Sequence, residues 1–164
     1  MDRGIIMLNC GQKVFVPSYG AGIMNDLEDK KKYDINKRYI SISFLLNNID
    51  LFIPEDKIPG YRIRNIVKKE ELNEAIDTIS NIPKNIEKKW SKRYRLNNDK
   101  IKTGDLFKMC EVIRDLYYLK SQGMLPTGEK KILCSAENMV ASEIMLVLDI
   151  TMEEALTQIR TLGE

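Results

Sequence analysis

Between Lys84 and Lys102 the chain places eight basic residues, Lys84, Lys88, Lys89, Lys92, Arg93, Arg95, Lys100 and Lys102, against Glu87 and Asp99, a charge of +6 in nineteen residues. The same window holds Trp90, the one tryptophan of the protein, and Tyr94. Cations that hold phosphates, interleaved with rings that stack on bases or wedge between them, suit an anionic polymer. On a helix from about 85 to 98, the helical period sets Ile86, Trp90, Arg93, Tyr94 and Asn97 on one side and Lys88, Lys92 and Arg95 on another. Two readings of Trp90 stand side by side. Large aromatics are usually mostly buried, which makes it a core anchor; its charged neighbours and the scarcity of aliphatic residues on its side make it a presented contact.

Other chemistry is thinly supported. Glu70-Glu71, Asp115 with Glu111, and Glu153-Glu154 supply carboxylate pairs, but each falls on the solvent side of an expected helix, with no apolar pocket to raise a pKa. Gly20-Ala21-Gly22 lacks the lysine-hydroxyl or third-glycine continuation of a phosphate loop and leads into a strand. With no histidine, a serine nucleophile has no ordinary base, and Cys10, Cys110 and Cys134 have no metal-ligand spacing. No enzyme activity, cofactor, metal or small-molecule substrate is therefore expected.

At 164 residues, with 43% hydrophobic and 30% charged, the chain can fold as one ordinary domain or two small ones. Its net charge of only +2 makes any nucleic-acid signal local, and the sign reverses along the chain, residues 101–164 carrying 7 basic and 10 acidic groups. Scattered thiols suit a reducing compartment. Ile5 to Leu8 is too short for the apolar core of a signal peptide, and no stretch approaches the ~20 apolar residues of a membrane span. A cytoplasmic protein without a membrane partner is the expectation.

Two regimes of periodicity divide the sequence. Up to about residue 66 apolar residues alternate, as in Lys13-Val14-Phe15-Val16 and Asn48-Ile49-Asp50-Leu51-Phe52-Ile53, with turn residues between the runs. This predicts five half-buried strands, roughly 12–16, 22–28, 38–45, 48–53 and 61–66, closed into a small barrel because closure removes edges. From Lys68 the period is helical. Helices are expected over 71–80, 85–98, 103–120 and 128–148, and Thr151-Met152-Glu153-Glu154 reads as a capping box opening a fifth. The fold class is thus α+β in two domains, 1–66 and 67–164, the second a compact all-α bundle of about five helices.

A β-region opening with Gly11-Gln12-Lys13-Val14-Phe15-Val16-Pro17-Ser18-Tyr19-Gly20 is followed by Phe52-Ile53-Pro54. Trp90-Ser91-Lys92-Arg93-Tyr94-Arg95, then Gly104-Asp105-Leu106 with Glu111-Val112-Ile113-Arg114-Asp115-Leu116, and Gly128-Glu129-Lys130-Lys131 come after it. In this order the chain closely resembles the CarD/CdnL family of bacterial transcription regulators over nearly its whole length. Its N-terminal part is also similar to the RNA-polymerase-interacting domain of transcription-repair coupling factors. The resemblance implies a Tudor-like (SH3-like) barrel that docks on the RNA polymerase β subunit. It also implies a helical domain that contacts promoter DNA, weakly and without sequence preference on its own, at the upstream edge of the melted −10 region, stabilising the open complex. The protein would then be nucleoid-associated through the polymerase. By matching position Trp90 is the family's minor-groove wedge, with Lys89, Lys92, Arg93 and Arg95 in the DNA-contacting segment. Lys30, Phe52 and Pro54 fall on the polymerase-binding surface.

Departures from the family pattern are local. The second basic position of the polymerase-binding surface is Phe52, which strand alternation turns outward with Asp50 while Ile49, Leu51 and Ile53 turn inward, so an apolar contact replaces an ion pair. Pro126 stands where relatives often place a capping serine, so Thr127 is expected to cap the helix instead. The alternative function is a small-barrel RNA-binding protein associated with ribosomes, using the same basic helix on A-form RNA.

Overall fold

In the computed structural model, which describes residues 8–25 and 38–164, the switch of periodicity at residues 66–68 is a switch of architecture. Strands β1 (Lys13–Val16), β2 (Gly20–Asn25), β3 (Tyr39–Phe44), β4 (Ile49–Pro54) and β5 (Arg64–Asn65) precede five α-helices. These are α1 (Lys69–Asp77), α2 (Trp90–Lys102), α3 (Leu106–Ser121), α4 (Thr127–Leu148) and α5 (Met152–Gly163). Short 3-10 segments cover Glu55–Tyr61 and Thr78–Ser80.

The sheet is antiparallel in the order β4-β3-β2-β1-β5. Among the described residues no ladder joins β5 to β4; Glu55–Tyr61 spans that gap, so the sheet curls without full strand closure. Its interior is Val14, Val16, Met24, Ile42, Phe44, Ile53 and Ile63, with Ile58 and Tyr61 packed alongside.

The expected half-burial fails for β1, where Val14, Phe15 and Val16 are all fully buried. Both of its faces are covered. Val14 and Val16 point into the barrel, while Phe15, with Ala21 of β2, belongs to the core of the helical part. Ile49, expected inward, is instead 46% exposed. It opens an edge strand opposite Phe44, at the end of β3, and lies outside the barrel core, whereas Leu51 packs against that core and Ile53 is buried in it.

In the helical part Leu72, Ala75 and Ile76 of α1, the apolar stripe of α3, and Ala155 and Ile159 of α5 surround α4. At 22 residues α4 is about 33 Å long. The capping box of α5 is formed as its spacing requires, Thr151 Oγ1 accepting from the Glu154 amide and Glu154 Oε2 from the Thr151 amide. At α4 the expectation is corrected. Pro126 occupies the N-cap, Thr127 is already helical, and no side chain caps the end.

The two parts share a built interface. Arg64 of β5 forks onto Glu143 of α4 (2.7 and 2.8 Å) and donates from Nε to the Gly104 carbonyl (2.9 Å). Glu143 also accepts from the Val67 amide at 3.0 Å, Ser142 Oγ accepts from the Ala21 amide at 2.9 Å, and Lys13 Nζ donates to the Leu146 carbonyl at 2.9 Å. Gly104, between α2 and α3, has φ +70°, and a β-carbon there would lie 2.7 Å from Pro17 Cγ in the β1–β2 turn. Only glycine allows both that backbone and that approach.

Candidate nucleic-acid interface

Helix α2 begins at Trp90, five residues later than the pattern of the sequence suggests. The cause is visible in the hydrogen bonds. The Glu87 carbonyl, which in a longer helix would take the Ser91 amide, instead accepts from Arg93 Nη1 at 2.9 Å, and the Lys88 carbonyl lies 3.5 Å from the same nitrogen. The Glu87 carboxylate accepts from the Lys89 amide at 3.0 Å, and the Lys89 carbonyl is the first to receive helical amides, from Lys92 and Arg93.

Trp90 therefore stands at the first residue of a helix, 50% exposed. Its ring is tilted 41° against Tyr94 with centroids 5.7 Å apart. Both rings lie over Gly128 in the first turn of α4, where a β-carbon would sit 3.9 Å from Trp90 Cζ2 and 3.6 Å from Tyr94 Cε2. The indole is supported from below and open to solvent outward, which favours the presented contact over the core anchor.

Around it Lys88, Lys89, Lys92 and Arg95 are exposed. Lys92 pairs with Glu87 at 2.7 Å. The Lys92 hydrogen bond, with the Lys89 amide, holds the Glu87 carboxyl below its ordinary range. Exposed pairs of this kind contribute little, so Lys92 can exchange Glu87 for a phosphate at small cost. Lys130 and Lys131 of α4, also exposed, follow Gly128 by two and three residues and add cations the sequence window did not include.

Arg93 departs from the rest of the set. It is buried, with Nε and Nη2 on the two oxygens of Glu129 at 2.8 and 2.7 Å, and Glu129 is wholly buried. The Glu129 hydrogen bonds raise the already high pKa of the guanidinium against the opposing effect of burial. Arg93 faces α4 and keeps little surface for a phosphate.

The polymerase-facing candidates lie on the other part of the molecule. Phe52, on edge strand β4 opposite Ser41, is 38% exposed, as its outward parity requires, and Pro54 ends the same strand half-buried. Lys30 lies outside the described residues.

Among the carboxylates, Asp115 is a correction. It is buried beside Arg114, and burial raises its pKa against the opposing pull of the Arg114 guanidinium. Glu129, Glu137 and Glu143 are also buried, each held by an arginine or a tyrosine: Arg93, Tyr117 and Arg64 respectively. Carboxylates committed in this way are structural. Among the described residues no cluster of three or more acidic or thiol groups could hold a metal, and no helix is long and apolar enough to cross a membrane.

Comparison with known proteins identifies the family. The family model "CarD, C-terminal domain" matches residues 74–160, which takes in α2, the Arg93–Glu129 pair and the whole of α3 and α4. The Bacillus subtilis (strain 168) protein named "Putative transcription factor YdeB" is 31% identical over 145 residues, covering 88% of this chain and 95% of that protein. With a presented tryptophan in a basic setting, a helical part that matches the family model for most of its length, and a relative similar along nearly the whole chain, the protein belongs to the CarD/CdnL family and is a CarD-like transcription factor.

Proposed function

We propose that the protein bridges RNA polymerase and promoter DNA: its curled sheet docks on the β subunit through the face that carries Phe52 and Pro54, and Trp90 enters the minor groove at the upstream edge of the melted −10 region. Lys89, Lys92 and Arg95 hold the flanking phosphates, and the open complex lasts longer. The observation that carries this reading is the half-exposed Trp90 at the start of α2, backed by Tyr94 and Gly128 and flanked by unburied cations. A wedge of this kind works where the duplex is already distorted, because unstacking a base step costs on the order of a few kcal/mol in intact DNA. Phosphate contacts add affinity without reading sequence.

The test uses the full chain and its own polymerase. Phe52→Asp is expected to weaken capture of the polymerase while leaving the protein folded, since Phe52 is not part of the barrel interior. Normal capture by Phe52→Asp would move the docking surface elsewhere. On DNA, affinity is expected to fall with salt at a log-log slope of about −0.9 per phosphate contact, and Lys92→Ala and Arg95→Ala each to reduce that slope by about 1. An unchanged slope in both variants would remove them from the interface.

A further inference from the structure

We propose that Arg93 is the positioning residue of Trp90: seated on Glu129 of α4, its guanidinium grips the chain just before α2 and so fixes where that helix starts and which way the indole is presented. The consequence for transcription rests on the wedge reading above; the positioning itself does not.

The inward stripe of α2 is Arg93, Asn97 and Ile101. Of these only Ile101 is apolar, and it lies in the last turn. Asn97 is buried, yet its Nδ2 finds no hydrogen-bond partner among the described residues. The buried apolar side chain of the helix thus lies at its far end, and at its beginning the buried side chain is Arg93, beside the half-exposed rings that rest on Gly128. That side chain makes four contacts, two on the Glu129 carboxylate and two on the carbonyls of Glu87 and Lys88.

A guanidinium suits this task because its planar fork can meet a carboxylate with two nitrogens while the third reaches a carbonyl. By occupying the Glu87 and Lys88 carbonyls it stops the helix from extending backward, which keeps Trp90 at the first helical residue. The anchor and the support for the ring come from consecutive residues, Glu129 and Gly128, so one turn of α4 sets both the height and the direction of the indole.

The single tryptophan makes the test direct, since all indole fluorescence belongs to Trp90. Removing Arg93 alone leaves Glu129 buried without a partner and endangers folding, so the decisive variant is the double Arg93→Met/Glu129→Leu, in which apolar groups of similar size replace the pair and no charge is stranded. Arg93→Lys, which keeps the charge but not the fork, is the second. The double variant is expected to melt close to the parent, and Arg93→Lys to melt lower but to stay folded. In both, Trp90 anisotropy should fall, acrylamide quenching should rise, and the open-complex lifetime should shorten toward the value given by Trp90→Ala.

Parental anisotropy and quenching in the folded double variant would overturn the proposal, because stability would then account for everything the pair does. Loss of folding in both variants would equally overturn it, assigning the pair a structural role. A loosened Trp90 with an unaltered open-complex lifetime, together with a silent Trp90→Ala, would support the positioning and refute the wedge.

Discussion

Arg64→Ala is expected to destabilise the protein by about 3–5 kcal/mol, the usual cost of stranding a buried charge by removing its partner. Glu143 is wholly buried, and without Arg64 its carboxylate would keep one donor, the Val67 amide. The same substitution frees the Gly104 carbonyl and uncovers the face of Phe15, over which the guanidinium sits 4.3 Å from the ring centroid. In a chain of this length the melting midpoint should fall by on the order of 10 °C. Replacing both partners by apolar groups, Arg64→Met with Glu143→Leu, is expected to restore most of the loss, since the desolvation of two ions is then avoided. Urea unfolding of the parent, the single and the double variants measures all three. A single variant within about 1 kcal/mol of the parent would mean that water reaches Glu143 and that the sheet and α4 are held together by other contacts.

Because this clasp joins the sheet to the helix that supports Trp90, it also bears on function. On the function proposed above, with one part on the polymerase and the other on DNA, the wedge is delivered accurately only if the two parts keep their relation. Arg64–Glu143, Ala21–Ser142 and Lys13–Leu146 provide three separate ties between the sheet and α4.

The second large effect is on transcription. Trp90→Ala is expected to shorten the open-complex lifetime by roughly 5- to 150-fold, the equivalent of the ~1–3 kcal/mol that an aromatic side chain contributes when it stacks on a base. Its effect on stability should stay small. Half of the indole is in solvent, and its neighbours Tyr94 and Gly128 are themselves at the surface of α2 and α4. A fully buried aromatic would cost ~3–5 kcal/mol on truncation, so the two readings of Trp90 differ clearly in a melting experiment. Open-complex decay and thermal unfolding should be measured on the same preparation. A large drop in melting temperature combined with an undiminished lifetime would return Trp90 to the role of core anchor.

Much of the architecture follows from local patterns, because the period of apolar residues tells which of them can share a face. The change from period two to the helical period at residues 66–68, the stripe of α3, and the Thr151–Glu154 capping box all correspond to what the chain forms. Phe52 is outward for the same reason, and the basic window around Trp90 is legible because its residues are neighbours in sequence.

Tertiary structure decided which charges are used on the surface and which inside. Arg93 and Glu129 are 36 residues apart, Arg64 and Glu143 are 79 apart, and a periodicity confined to one element carries no information about such partners. An arginine in a basic run looks like its neighbours until a carboxylate on another helix takes it, which is why Arg93 reads as a phosphate contact in sequence and is a buried anchor in the fold. The start of α2 moved for the same reason: the side chain that fixes it reaches back to carbonyls only after Glu129 has placed it. Likewise, the second buried face of β1 is covered from far along the chain: Phe15 lies in the core of the helical part, with the Arg64 guanidinium over its ring. Local sequence thus determines the elements and the chemistry on offer, whereas the pairing of distant charges determines which side chains remain free at the surface, since an ion leaves water only where the fold brings it a partner.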